Sequence, residues 1–180
     1  MIRIIVAMDS RRGIADDTGI PWQGKIPKDV AYFRKKTEGG TVLMGYGTYL
    51  EFKKPLPSRR NIVATGKNQK LENGFEAVPD AERFLKQSTK DVWVIGGAKL
   101  FESTIDLADE LYITQLDGDW HCTKFFPEFR DKFELKSALS PQTENGITFR
   151  FTTWKRLQKQ TREVALYLQQ IVYPLTTSSS

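Results

Sequence analysis

Val92-Trp93-Val94-Ile95-Gly96-Gly97-Ala98-Lys99-Leu100 is the stretch on which the fold turns. Four apolar residues make a fully buried strand. The glycine pair ends it, and a helix is predicted from Ala98 to about Thr104. A strand, a glycine turn and a helix set bare backbone N–H groups at a helix N-terminus, where open donors and the dipole both favour an anion. Absent side chains also let a ligand come close to the chain. The same turn needs glycine on steric grounds alone, so the stretch fixes an α/β unit before it fixes a ligand. It lacks the third glycine of a dinucleotide fingerprint and is not a Walker loop.

Working outward, strand-like and helix-like segments alternate from the first residue. Residues 2–7 read as a buried strand. Residues 8–28 read as one long loop with Gly13, Gly19, Pro21, Gly24 and Pro27, and loops longer than ~12–15 residues in a compact domain are usually functional. A helix is predicted over 29–37 with Val30 and Phe33 on one face. A strand at 41–44 ends at Gly45, and a short helix runs from Tyr46 towards position 53. Strands follow at 61–65 and 75–78, then a helix over 79–88 with Pro79 at its start. Beyond the glycine pair come a strand at 110–115 and two late strands, 133–137 and 147–153, that close as an antiparallel hairpin. The fold class is therefore α/β, one domain with a mixed, mostly parallel sheet flanked by helices. At 157–171 Leu157, Thr161, Val164, Leu168 and Ile171 recur at three- and four-residue steps. That spacing predicts a C-terminal amphipathic helix, followed by a disordered Ser/Thr end to residue 180.

The bulk numbers agree. The 180 residues suit one domain, and 39% hydrophobic with 27% charged residues is an ordinary soluble composition. No apolar run approaches the ~20 residues that span a bilayer, and the first residues are too short for a secretory signal. One cysteine, Cys122, permits no internal disulfide and fits a cytoplasmic home. The net charge of +5 is spread without a block of like charges, so no nucleic-acid partner is expected. One histidine beside one cysteine makes no metal site, and no elbow motif supports a nucleophile triad. These absences push the chemistry towards a bound cofactor.

Three further residues each carry two readings. Asp29 is either a first-turn carboxylate that complements its helix dipole or an acid in a cleft, one turn before Phe33, able to bind and help protonate an amino-substituted ring. Trp22 either anchors the long loop to the core or covers a ligand. Arg59, just before a core strand, is either solvated or holds a carboxylate with its two-pronged guanidinium.

Taken in order, Ile4-Ile5-Val6-Ala7, Gly13-Ile14-Ala15, Gly19-Ile20-Pro21-Trp22, Asp29 with Phe33 and Thr37, and Val42-Leu43-Met44-Gly45 resemble the dihydrofolate reductase family. So do Thr48-Tyr49, Pro55-Leu56-Pro57-Ser58-Arg59-Arg60-Asn61, Val94-Ile95-Gly96-Gly97 and Leu111-Tyr112-Ile113-Thr114, over residues 2–155 in all. The resemblance implies NADPH-dependent reduction of dihydrofolate to tetrahydrofolate, by hydride transfer to C6 and protonation at N5, and sensitivity to antifolates such as methotrexate or trimethoprim. It implies that Asp29 binds the pterin and promotes N5 protonation, and that Trp22 and Thr114 order water beside it. Ala7, Phe33, Leu56 and Ile95 would wall the substrate pocket, and Arg59 would pair with the α-carboxylate of the substrate's glutamate. Ala7, Ile14, Gly45, Tyr46, Gly47, Thr48, Thr65, Lys67, Ile95, Gly96, Gly97, Ala98, Lys99 and Leu100 would line the cofactor channel. Residues 9–24 would be the loop that closes over the nicotinamide.

The chain also departs from the family pattern. Gly24-Lys25 lengthens the step from Trp22 to Asp29. Tyr46 and Gly47 replace a basic residue that meets the cofactor phosphates, and Thr65-Gly66-Lys67 replaces the usual hydroxyl-bearing reader of the 2′-phosphate. Cys122 replaces an aspartate that latches the closed loop, and the helix at 157–171 exceeds the family's usual end. Two rivals share the fold: a riboflavin-pathway pyrimidine reductase, which lacks the Pro-Trp-to-Asp arrangement, and a catalytically quiet binding protein. A monomer is expected, with residues 1–156 as the reductase unit.

Overall fold

A computed structural model describes residues 1–52, 54–66 and 69–158. The helix expected over 157–171 falls almost wholly outside the described residues, as does Lys67.

The strands are β1 (Ile2–Met8), β2 (Gly13–Ala15), β3 (Thr41–Gly45), β4 (Arg60–Ala64), β5 (Phe75–Val78), β6 (Val92–Gly96), β7 (Glu110–Leu116), β8 (Lys124–Phe125), β9 (Phe133–Ala138), β10 (Gln142–Glu144) and β11 (Ile147–Arg156). The helices are α1 (Pro27–Thr37), α2 (Tyr46–Glu51), α3 (Ala81–Gln87) and α4 (Ala98–Thr104). The main sheet runs β10-β11-β7-β1-β6-β3-β4-β5, with β9 also on β11. Pairing is parallel from β7 through β5 and antiparallel where β11 meets β7, β9 and β10. A small antiparallel pair, β2 with β8, stands apart.

Period-two alternation sorts the strand residues into two layers. Ile4, Val6, Met8, Leu43, Ile62, Val94, Leu111 and Ile113 pack in one core with Leu85, Leu100, Phe101 and Phe126. Ile5, Val42, Met44, Val63 and Trp93 lie on the opposite face with Tyr32, Phe33 and Tyr49. With both faces covered, the central strands read as continuous apolar runs rather than as alternation.

Four sequence expectations need correcting. The 8–28 loop contains β2, whose edge pairs with β8, neither strand having been foreseen. Strand β10 was also missed. The third helix starts from Asp80, whose carboxylate accepts the Arg83 N–H at 2.9 Å, while Pro79 stays outside it. Val30 is exposed, whereas Phe33 packs against the α1-side core.

Candidate active site

The cleft opens where β1 and β6 part. Their pairing ends at Ile4–Val94. On the other side of β6, Leu43 pairs with Val94 and Met44 with Gly96, so Ile95 is the extra residue of a bulge. Beyond that point β1 continues only beside β7, with Ala7 opposite Thr114. Clefts outside the carboxyl ends of parallel strands are the usual ligand sites of open α/β sheets.

Helix α1 brings Asp29 across this opening. The Thr114 hydroxyl donates to its Oδ1 at 2.6 Å. Burial pushes the Asp29 carboxyl above its ordinary range, against the pull of the Thr114 hydrogen bond and with a further push from the charge of Glu144. One turn on, Tyr32 stacks on Phe151 with ring centroids 4.1 Å apart, and burial pushes its phenol up to about 12. Trp22 anchors the long loop to the core. It is 3% exposed and packs with Ile26, Phe149 and Ala7, edge-on to Trp120 at 5.8 Å. Phe33, Leu56 and Ile95 are half-buried on the same face.

Arg59, in the turn before β4, is fixed against the last turn of α1. Its Nε donates to Thr37 Oγ1 at 2.8 Å, Nη1 to the Pro57 carbonyl at 2.6 Å and Nη2 to the Arg34 carbonyl at 2.9 Å. Of the five N–H donors of a guanidinium, these bonds leave one on each terminal nitrogen, the pair that grips a carboxylate. The solvated reading does not fit a side chain held at three points.

The glycine turns supply the second half of the site. Helix α2 follows β3 directly, and α4 follows β6. Their N-caps, Gly45 and Gly97, lack side-chain capping bonds, so two sets of first-turn N–H groups are left without a side-chain acceptor. A Cβ on Gly45 would meet the Gly96 carbonyl at 3.7 Å and the Gly97 nitrogen at 3.8 Å. One on Gly97 would meet Thr48 Oγ1 at 3.4 Å. The Gly96–Gly97 peptide is cis, and Gly96 has φ of +122°. This donor set fits a dinucleotide diphosphate. Ile14 and Leu100 turn their side chains into the core and support the cradle from behind. Tyr46 leans on Tyr49, and a side chain at Gly47 would meet open space, so packing does not forbid a basic residue there. Thr65 is buried just past β4, and its N–H is bonded to Val78; Ala98 and exposed Lys99 open α4.

The long loop is tied down chiefly by a residue the sequence reading missed. Asp9 is 1% exposed. Its Oδ1 accepts the N–H groups of Gly13 at 2.6 Å and Arg11 at 2.9 Å, and its Oδ2 that of Trp120 at 3.0 Å. Cys122 packs so closely on Gly13 that a Cβ there would stand 2.5 Å from its own. Among the described residues no cluster could hold a metal ion, and no helix is long and apolar enough to cross a membrane.

The family model for dihydrofolate reductase matches residues 1–156. The chain belongs to the dihydrofolate reductase family. A dihydrofolate reductase from Bacillus subtilis is 37% identical over 144 residues, 79% of this chain and 84% of its own length. One from Staphylococcus aureus is 31% identical over 160 residues, 88% of this chain and 99% of its own. The solved dihydrofolate reductase from Enterococcus faecalis, complexed with NADP(H) and RAB-propyl, superposes with a TM-score of 0.79. It is 25% identical and covers 88% of this chain and 97% of that one. The cleft has two halves: Asp29 in the first turn of α1 with Arg59 bonded to the helix's last residues, and the Gly45 and Gly97 turns at the ends of β3 and β6. Membership of this family sets aside the pyrimidine reductase reading. Tyr32, Glu144 and Asp9 escaped the sequence reading. The Asn145-Gly146 pair, a strong hairpin signal, would have revealed β10 and with it Glu144.

Proposed function

We propose that the residues gathered in this cleft divide between them the family's reaction, the NADPH-dependent reduction of 7,8-dihydrofolate to 5,6,7,8-tetrahydrofolate. The observation that carries the assignment is Asp29: a buried carboxyl in the first turn of α1, kept above its ordinary range and held by the Thr114 hydroxyl. Such a group binds the amino-substituted pterin edge and promotes protonation of N5. Thr114 fixes its orientation. Trp22, buried against Ile26 and Ala7, orders water beside it. Phe33, Leu56 and Ile95 pack the ring and the aminobenzoyl group, and Arg59 grips the α-carboxylate of the glutamate. Gly45, Thr48, Gly96, Gly97, Ala98 and the start of α4 would hold the NADPH diphosphate, with Thr65, Lys67 and Lys99 nearest in sequence to the 2′-phosphate. When bound, NADPH supplies the hydride that C6 receives.

Purified protein should oxidise NADPH only when dihydrofolate is present, and methotrexate or trimethoprim should stop it. A folded protein that binds both ligands without turnover would favour the quiet binding protein instead. We also propose a cytoplasmic monomer, with residues 1–156 sufficient for the reaction. Light scattering of the full chain and of one ending at Arg156 tests this, and a dimer in either would overturn it.

A further inference from the structure

Between the β10–β11 hairpin and the start of α1 the structure makes two contacts that join segments far apart in sequence. Glu144 Oε2 accepts the backbone N–H of Lys28 at 2.9 Å, and Asn145 Nδ2 donates to the Lys25 carbonyl at 2.8 Å. The hairpin is built for this reach. Asn145 at φ 49° and Gly146 at φ 77° make a two-residue turn, with Glu144 paired to Ile147 across it. Lys28 lies in the first turn of α1, whose N-cap, Ile26, offers no side-chain acceptor. Glu144 therefore does from 116 residues away what a capping side chain would do locally. The residue after Lys28 is Asp29.

We propose that Glu144 is a positioning residue for the protonation step: from β10 it fixes the first turn of α1 and stands a second negative charge beside the Asp29 carboxylate. This rests on Asp29 being the acid of the reaction. Other groups around Asp29 do not duplicate the role. Thr114 on β7 gives a neutral hydrogen bond that favours the ionised form, and Tyr32 on α1 is a phenol that burial keeps protonated. Lys25 in the loop and Lys28 on α1 carry the opposite charge, while Ala7 and Phe151 on β1 and β11 carry none. Glu144 is thus the neighbouring anion that makes Asp29 hold its proton to higher pH, the direction its charge pushes the group.

The test is the pH profile of kcat/KM for dihydrofolate in wild type, E144Q, E144A and D29N. Glutamine keeps an oxygen for the Lys28 N–H and removes the charge. E144Q should move the alkaline midpoint to lower pH by about half a unit, the order expected of one partly solvated neighbouring charge. At a pH above both midpoints this is about a threefold loss of activity. E144A should show the same shift and a lower acid plateau as well, because the helix turn is no longer held. An E144Q midpoint equal to wild type, with a midpoint that D29N abolishes, overturns the proposal and leaves Asp29 as the acid. A wild-type midpoint that survives in D29N overturns the assignment of Asp29 itself, and the role of Glu144 with it.

Discussion

Replacing Asp29 by asparagine should stabilise the fold while removing most of its activity. Burial holds the Asp29 carboxyl above its ordinary range, with Glu144 reinforcing and Thr114 opposing. The folded chain therefore binds this proton more tightly than the unfolded chain does. The sign follows by linkage. The favourable contribution is complete below about pH 3.9, where an unfolded aspartate titrates. It is lost as pH rises through the folded value, and at neutral pH the ionised group is a net cost. Asparagine still offers an oxygen for the 2.6 Å bond from Thr114 and carries no charge. Relief of the cost is worth about 1 kcal/mol, the order of burying a polar group whose hydrogen bond is kept, or a Tm rise of ~2–4 °C for a chain of this size. Meanwhile kcat at neutral pH should fall by about 100-fold or more, the usual worth of a positioned general acid. Thermal melts at a series of pH values from 8 down towards 4, beside NADPH-oxidation assays, read both effects. A variant that melts below wild type at neutral pH, or a gain that does not shrink on acidification, would refute the burial argument. Unchanged turnover would refute the acid.

Arg59→Leu removes a guanidinium already held at three points, so little reorganisation masks the loss of its outward pair. KM for dihydrofolate should rise roughly 10- to 100-fold, the worth of a charge-assisted hydrogen bond, while a pterin lacking the glutamate should show no change. Gly97→Ala sets a methyl 3.4 Å from Thr48 Oγ1, in the proposed diphosphate cradle. Fluorescence titration should show NADPH binding weakened, with dihydrofolate binding nearly intact; equal losses for both would point to a folding defect. Burial and the charges of Asp9, Asp16 and Asp119 push the Cys122 thiol up to about 11. It should resist iodoacetamide at pH 8 in the native protein and react on unfolding, and rapid native alkylation would contradict that placement.

The parts of the fold that the sequence made legible are those where local pattern and tertiary need coincide. The apolar runs at 41–45 and 92–96 end in glycines that both the turn and the cradle require, so their strands and the following helices were readable. Strands β2 and β8 were not, because each is a few residues long and exists only through the other. Asp29 and Arg59 carried two readings each because composition does not tell where a side chain's hydrogen bonds end. Thr114, 85 residues from Asp29, and the Arg34 carbonyl, 25 from Arg59, are partners that no local pattern announces. Asp9 was invisible for the same reason. An aspartate after a strand looks like a turn residue until Trp120 is found against it.

The ties on the long loop are unevenly spaced. Residues 9–13 are held by the Asp9 carboxylate, and 13–15 by pairing with 124–125 and by the Thr123 N–H on the Ala15 carbonyl at 3.0 Å. Trp22 is sunk in the core, and Lys25 is held by Asn145. Between these anchors the turn at Asp16 is self-contained. Its Oδ1 accepts from Thr18 N–H and hydroxyl, both at 2.6 Å, and from the Gly19 N–H at 3.0 Å, which holds its carboxyl below the usual range. The link across the gap is the 3.4 Å contact of the Thr123 hydroxyl with Asp17. A segment that satisfies its own donors in this way depends little on the rest of the chain for its shape. The Asp9 carboxylate bridges this loop to the 117–122 segment through Gly13 and Trp120, and Cys122 packs on the same Gly13, so one buried aspartate makes the connection that the sequence around Cys122 does not.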